Sequence, residues 1–193
     1  MTSWHLFTTY DKFAIACEAN YTPGTGRTVD ESLHGFSGMC SFEQYIPNKP
    51  SKYGIKAYVL ADSKTFYPVT SKIYTGAGTH PPGLPVPTQA VLDFVPSVSG
   101  TSRNITTDNY YTSIPLAMEL KSWKLTLVGT MKKNKVCIPP SFLANEGTVQ
   151  YAFDHANNFT LLSVLPKKNK RVVFLSTMYS EKKRETRMLE KKK

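Results

Sequence analysis

Between Arg27 and Tyr74 the chain offers three strand-type stretches in quick succession, and after Thr88 helix-type and strand-type stretches alternate. The first three run from Arg27 to Phe36, Tyr53 to Ala61 and Phe66 to Tyr74, and a "DSKT" turn at Asp62 to Thr65 joins the last two. Short links favour antiparallel neighbours, so a meander is expected. The Gly- and Pro-rich "TGAGTHPPGLPVPT" (Thr75 to Thr88) reads as a loop, and "PTQAVLDFVPSV" then offers a short helix with Val91, Leu92 and Phe94 available for burial. Ile105 and Thr106 mark a short buried strand. Ser113, with Pro115 close behind, opens a helix whose apolar face is expected to be Leu116, Met118 and Leu120, and Lys124 to Thr130 forms another strand.

Three strands, helix, strand, helix, strand is the order of a ribonuclease H-like core: an α/β fold with a mixed sheet and helices. Upstream, Met1 to Asn20 is helical in its later half, with Phe13, Ile15, Ala16 and Cys17 near one face, and "YTPGTG" (Tyr21 to Gly26) reads as a turn. Beyond Met131 the character changes. "MKKNKVCIPP" is a basic turn, "TVQYAFDHANNFTLLSVLP" alternates like a hairpin, and "KKNKRVVFLSTMY" is a basic turn followed by a strand. The expected organisation is an upstream helical tail (1–26), a partial ribonuclease H-like core (27–131), a small β-rich insertion (132–180) and a basic, disordered tail (181–193).

Against 14 Asp and Glu the chain carries 24 Lys and Arg, a net charge of +10 that suits a polyanionic partner. Three widely spaced cysteines, Cys17, Cys40 and Cys137, suggest neither a disulfide framework nor a zinc cluster, and a reducing compartment is expected. The histidines lack paired metal-ligand spacing. No apolar run approaches a membrane span and no signal-peptide pattern opens the chain, so a soluble intracellular protein with no membrane partner is expected.

Asp108 stands at the carboxyl end of the strand in "RNITTDNYYTSIPLAMEL", where open α/β sheets place ligand-binding groups. An Asp there is also an ordinary turn residue. In a ribonuclease H-like sheet the first and fourth strands are adjacent, so Asp30, within "RTVDESLHGF", would meet Asp108. Neighbouring carboxylates repel, and a divalent cation relieves the repulsion. Two such cations held by acids can activate the attacking oxygen and steady the leaving oxygen of a phosphodiester. Tyr110 and Tyr111 could pack the core or stack on a base, and core packing is the favoured reading. Lys49, Lys52 and Lys56, interleaved with Tyr45 and Tyr53, suit a nucleic-acid surface, whereas Lys132, Lys133, Lys135, Lys167, Lys168, Lys170 and Arg171 read as solvated turns.

The runs "NYTPGTGRTVDESLHGF", "QYIPNKPSKYGIK", "RNITTDNYYTSIPLAMEL", "LTLVGTMKKNK" and "PKKNKRVVFLSTM" together resemble the transposase domain of piggyBac-type elements, in order and spacing, over roughly Phe13 to Ser180. The resemblance implies a ribonuclease H-like domain interrupted by a β-rich insertion, which cuts DNA at transposon ends and TTAA targets with Mg²⁺ or Mn²⁺ held by three Asp residues. A nuclear or cytoplasmic setting is expected, and the resemblance implies a homodimer in the full-length family. Asp30 matches the first catalytic and metal-binding Asp, and Asp108 the second. The third lies in a "GVD"-type motif that these 193 residues lack, and Asp154 is a poor substitute. The C-terminal part of the core is therefore expected to be missing, the chain alone to bind metal weakly and be inactive, and the tail after Ser180 to fall outside the likeness. Ser37, Met39 and Glu43 stand where the family usually has basic residues, which would weaken DNA contact. The alternatives are a domesticated DNA- or protein-binding module without catalysis, or the product of a decayed or partly annotated transposon gene.

Overall fold

Strand β1 (Gly26–Gly35) pairs antiparallel with β3 (Tyr53–Asp62) over its full length, from Arg27 opposite Asp62 to Gly35 opposite Gly54. The computed structural model describes residues 3–76, 83–144, 149–154, 157–167 and 170–179, and the chain divides into two packing units, Met1–Phe94 and Val95–Lys193.

In the first unit, helix α1 (Ser3–Ala19) precedes β1, and a two-residue strand β2 (Gln44–Tyr45), not foreseen in the sequence, precedes β3. The far edge of β3 pairs with β2 at one end and with β4 (Pro68–Ile73) along the rest, all antiparallel. This is the expected meander. β3 is central because it is apolar on both faces: Ile55, Ala57, Tyr58 and Leu60 are all buried. Gly54 lets it approach β1, since a Cβ there would collide with the His34 carbonyl. Phe42, Ile55 and Ile73 form a core cluster covered by Phe7, Tyr10, Phe36 and Cys40.

The inward face of α1 differs from the expected one. Phe13 and Ile15 are 55% and 67% exposed, while Ala14 and Cys17 are buried. Phe7, Tyr10, Ala14 and Cys17 follow the 3-4-3 spacing that keeps one helical stripe on the sheet, and Phe13 and Ile15 fall outside it. Helix α2 (Val86–Leu92) starts inside the expected loop, directly after Pro85. It buries Val91, and Phe94 follows it inward, whereas Leu92 is only half-buried. Asp93 just past its end is held by Lys72 of β4 at 2.6 Å and by Gln89 at 2.7 Å.

The second unit opens with a 3-10 turn (Val95–Ser97) and strand β5 (Asn104–Thr107). Helix α3 (Ile114–Ser122) connects β5 to β6 (Thr126–Met131), and the two strands pair in parallel, from Asn104 opposite Thr126 to Thr107 opposite Gly129. Leu116, Ala117 and Leu120 are the buried residues of α3, and Met118 is exposed. Positions 116, 117 and 120 fall within one arc of about 100°, whereas 118 is about 200° from 116.

After a short helix α4 (Pro140–Ala144), strands β7 (Val149–Asp154) and β8 (Phe159–Val164) form an antiparallel hairpin. Strand β9 (Val172–Ser176) pairs antiparallel with both β8 and β6, giving the order β5-β6-β9-β8-β7 in this unit. The strands within 132–180 thus continue the sheet begun by β5 and β6. Residues 181–193, expected as a tail, lie outside the described residues. The fold is the mixed α/β arrangement expected, with antiparallel strands first and helix-separated strands after them.

Candidate active site

β1 alternates. Arg27 and Val29 are buried on one face, while Thr28 and Asp30 belong to the other. Asp30, opposite Val59 of β3, is exposed, and its Oδ1 accepts the Glu31 N–H at 2.8 Å. Its carboxylate is thus anchored to the strand backbone while its side chain remains in reach of solvent.

Asp108 follows the last residue of β5. Burial in β5 alternates, with Ile105 and Thr107 inward, and the next residue emerges from the sheet at the strand's carboxyl end. Asp108 Oδ1 accepts the Tyr110 N–H at 2.8 Å, an Asx turn that fixes the carboxylate on its own loop. Asp108 itself is exposed. The Asp108 carbonyl accepts twice from Thr112, from its N–H at 3.1 Å and its hydroxyl at 2.7 Å. Thr107 Oγ1 lies 2.7 Å from Thr112 Oγ1, and both residues are buried. The pairing Thr107, Asp108, Thr112, with Gly129 in register on β6, is a feature that reading the sequence missed. The signal present is a threonine on each side of the Asp and a glycine in the middle of the next parallel strand.

Tyr111 is buried as expected, but Tyr110 is exposed and meets Tyr111 edge to face at 5.0 Å. Lys132 Nζ sits 5.4 Å from the Tyr110 ring centre, so this lysine has an aromatic partner as well as solvent. Arg171 departs from the expected solvated turn. It is buried and donates to Ser163 Oγ at 2.9 Å. Asp154 Oδ1 and Oδ2 accept from the Asn157 N–H and side-chain amide at 3.1 and 2.9 Å, closing the β7–β8 hairpin.

The three lysines singled out for nucleic acid differ in engagement. Lys49 is half-buried, donating to the Glu31 carbonyl at 3.4 Å with its ammonium 3.8 Å from the Glu31 carboxylate. Lys56 lies over two rings, 4.9 Å from Tyr58 and 5.4 Å from Tyr74. Lys52 is exposed, in the link between β2 and β3, beside Tyr53, whose ring lies 4.8 Å from that of Tyr45. Ser37 and Met39 are exposed and Glu43 is half-buried.

Exposed carboxylate oxygens on ordered backbone suit a hard cation such as Mg²⁺, which keeps much of its water. Asp30 and Asp108 are both exposed residues, and each carboxylate is tied to a backbone N–H of its own segment. Among the described residues no set of three His, Cys, Asp or Glu is grouped for a metal.

A transposase family model, described as Transposase IS4, matches residues 8–193. The match reaches the last residue, so the tail expected to fall outside the likeness is included in it. A solved structure, the cryo-EM structure of the piggyBac transposase synaptic complex with hairpin DNA, is similar at 42% sequence identity with a TM-score of 0.84. That similarity covers 91% of this chain and 38% of the other, so the chain spans well under half the length of that transposase. The fold, the family match and this identity together place the chain in the Transposase IS4 family, as a piggyBac-type member.

Proposed function

We propose that this chain contributes two metal-binding carboxylates, Asp30 and Asp108, and part of the DNA-contacting surface to piggyBac-type DNA cleavage and strand transfer. The observation that carries this reading is Asp108. It is an exposed residue at the carboxyl end of β5, with one oxygen anchored by Tyr110 N–H. Divalent cations, when bound, would supply activation of the attacking oxygen and stabilisation of the leaving one. The chain's own part is to hold the carboxylates still: Asp30 through Glu31 N–H, and Asp108 through the Asx turn and the Thr112 bonds. Two carboxylates leave most of a coordination shell to water, so the 193-residue chain is expected to hold the cation weakly and not to cleave DNA unaided. Mn²⁺ titration followed by proton relaxation tests this. Weak binding reduced by Asp30→Ala and by Asp108→Ala is expected; binding untouched by both substitutions contradicts the assignment.

DNA contact is the second part of the proposal. The similar transposase is in complex with hairpin DNA, and the +10 charge of this chain with an exposed Lys52 beside two exposed tyrosines is suited to a phosphate backbone. A binding role without catalysis rests on the same charge. Gel retardation of duplex DNA in the presence of EDTA separates the two, since a purely binding module retains its full affinity without metal.

A further inference from the structure

We propose that the buried hydroxyl pair Thr107 and Thr112, seated on Gly129, holds the Asp108 turn in the orientation that presents its carboxylate, making these three positioning residues. This rests on the reading of Asp108 as a metal carboxylate. Thr112 is fully buried and Thr107 is 4% exposed, so both hydroxyls must be satisfied inside the fold. A hydroxyl has one proton to give. The Asp108 carbonyl, 2.7 Å from Thr112 Oγ1, has no proton of its own and so receives that of Thr112, the Thr107 carbonyl lying farther away at 3.4 Å. The Thr107 hydroxyl must then be the donor in the 2.7 Å contact between the two. The result is a directional relay, Thr107 Oγ1 to Thr112 Oγ1 to Asp108 carbonyl, with Thr112 N–H donating to the same carbonyl.

The relay sits against β6 at a position only glycine fits. A Cβ on Gly129 would overlap Thr112 Oγ1 and come within 2.6 Å of the Thr107 carbonyl and 2.8 Å of its hydroxyl. Gly129 is the register partner of Thr107, so the backbone of the next strand is the floor of the turn. The carboxylate is thereby fixed at both ends, its main chain by the relay and its side chain by Tyr110 N–H.

Amide exchange and Mn²⁺-induced line broadening on the isotope-labelled 193-residue chain test the proposal. In the wild type the Tyr110 and Thr112 amides should exchange more slowly than an unstructured chain. If both exchange freely, the turn is not held and the proposal falls without any variant. Thr112→Val removes the hydroxyl at nearly constant volume, and Thr112→Ser keeps it. With β5 and β6 still protected, Thr112→Val should weaken Mn²⁺ broadening at Asp108 by about 10-fold, the range for losing a group that orients a ligand, and Thr112→Ser should restore it. Thr107→Val, which removes only the donor to Thr112, should give a smaller loss in the same direction. Broadening present in the wild type and unchanged in both folded valine variants overturns the positioning role. Broadening absent from Asp108 in the wild type overturns the metal reading instead, with the exchange result standing separately.

Discussion

Asp62, Asp154 and Asp108 are three carboxylates at or just past the ends of strands, and their hydrogen bonds give them different tasks. Asp62 accepts from Gly24 N–H at 2.7 Å, Thr65 N–H at 3.0 Å and Lys64 N–H at 2.8 Å, which holds its pKa at about 2, well below the usual carboxylate range. It closes the β3–β4 turn and ties the segment before β1 to it. Because its folded pKa is lowered, its contribution is complete above the unfolded value near 3.8 and is lost as pH falls through about 2. In Asp62→Asn one oxygen becomes an NH₂ that faces a backbone donor. The variant should melt below wild type at pH 7, with the gap closing between pH 4 and pH 2. A gap that stays constant across that range, measured by circular dichroism melts, contradicts the assignment. Asp108, by contrast, spends one oxygen on its own loop, and this difference is what makes it a candidate ligand.

At the scale of elements, α3 shows how local sequence sets the geometry beside Asp108. Ser113 Oγ accepts from Leu116 N–H at 3.3 Å, and Pro115 occupies the first turn, where its missing N–H does no harm. The helix ends with Leu125 N–H bonded to the Leu120 carbonyl and Lys124 N–H to that of Lys121, while Lys124 has φ 58°. This is a Schellman ending, in which glycine is the favoured residue at the left-handed position. Leu120 and Leu125, both buried, provide the apolar contact that accompanies it. Lys124→Gly should therefore stabilise the second unit by up to about 1 kcal/mol, the order of the left-handed penalty. Ser113→Ala should destabilise it by about 1 kcal/mol. Urea unfolding measures both, and a destabilised Lys124→Gly would show that the lysine side chain makes a contact worth more than the strain.

For the whole molecule, the net charge of +10 is a statement about partners, and where the charges sit decides its value. Arg171 is buried, Lys49 is held by Glu31, and Lys56 lies on tyrosine rings, so these cations are partly committed to the fold. Lys52 is not so committed. If it contacts one phosphate, Lys52→Ala should lower the slope of log K against log salt by about 1, whereas Lys49→Ala should change the slope less and the melting temperature more. Equal slopes for Lys52→Ala and wild type in gel retardation across salt would remove Lys52 from the interface.

The order of strands and helices was legible in the sequence because the patterns that set it are local: β-branched runs, the "DSKT" turn, and Ser113 with Pro115 at a helix start. The resemblance to piggyBac transposases was equally legible, because long motifs keep their spacing whatever the fold does with them. Which side chains turn inward was not. Met118 and Ala117 exchange roles on α3, and on α1 Phe13, Ile15 and Ala16 yield to Ala14 while Cys17 stays inward as expected, since the packed neighbour selects the buried arc of a helix. The two-residue strand β2 is too short to carry a periodic signal and exists through its pairing with β3. The same holds for the support of Asp108. Thr107, Thr112 and Gly129 are unremarkable residues in sequence, 22 positions separating the first from the last. Only the parallel register of β5 on β6 presses a hydroxyl pair onto a bare backbone and turns them into the seat of a carboxylate.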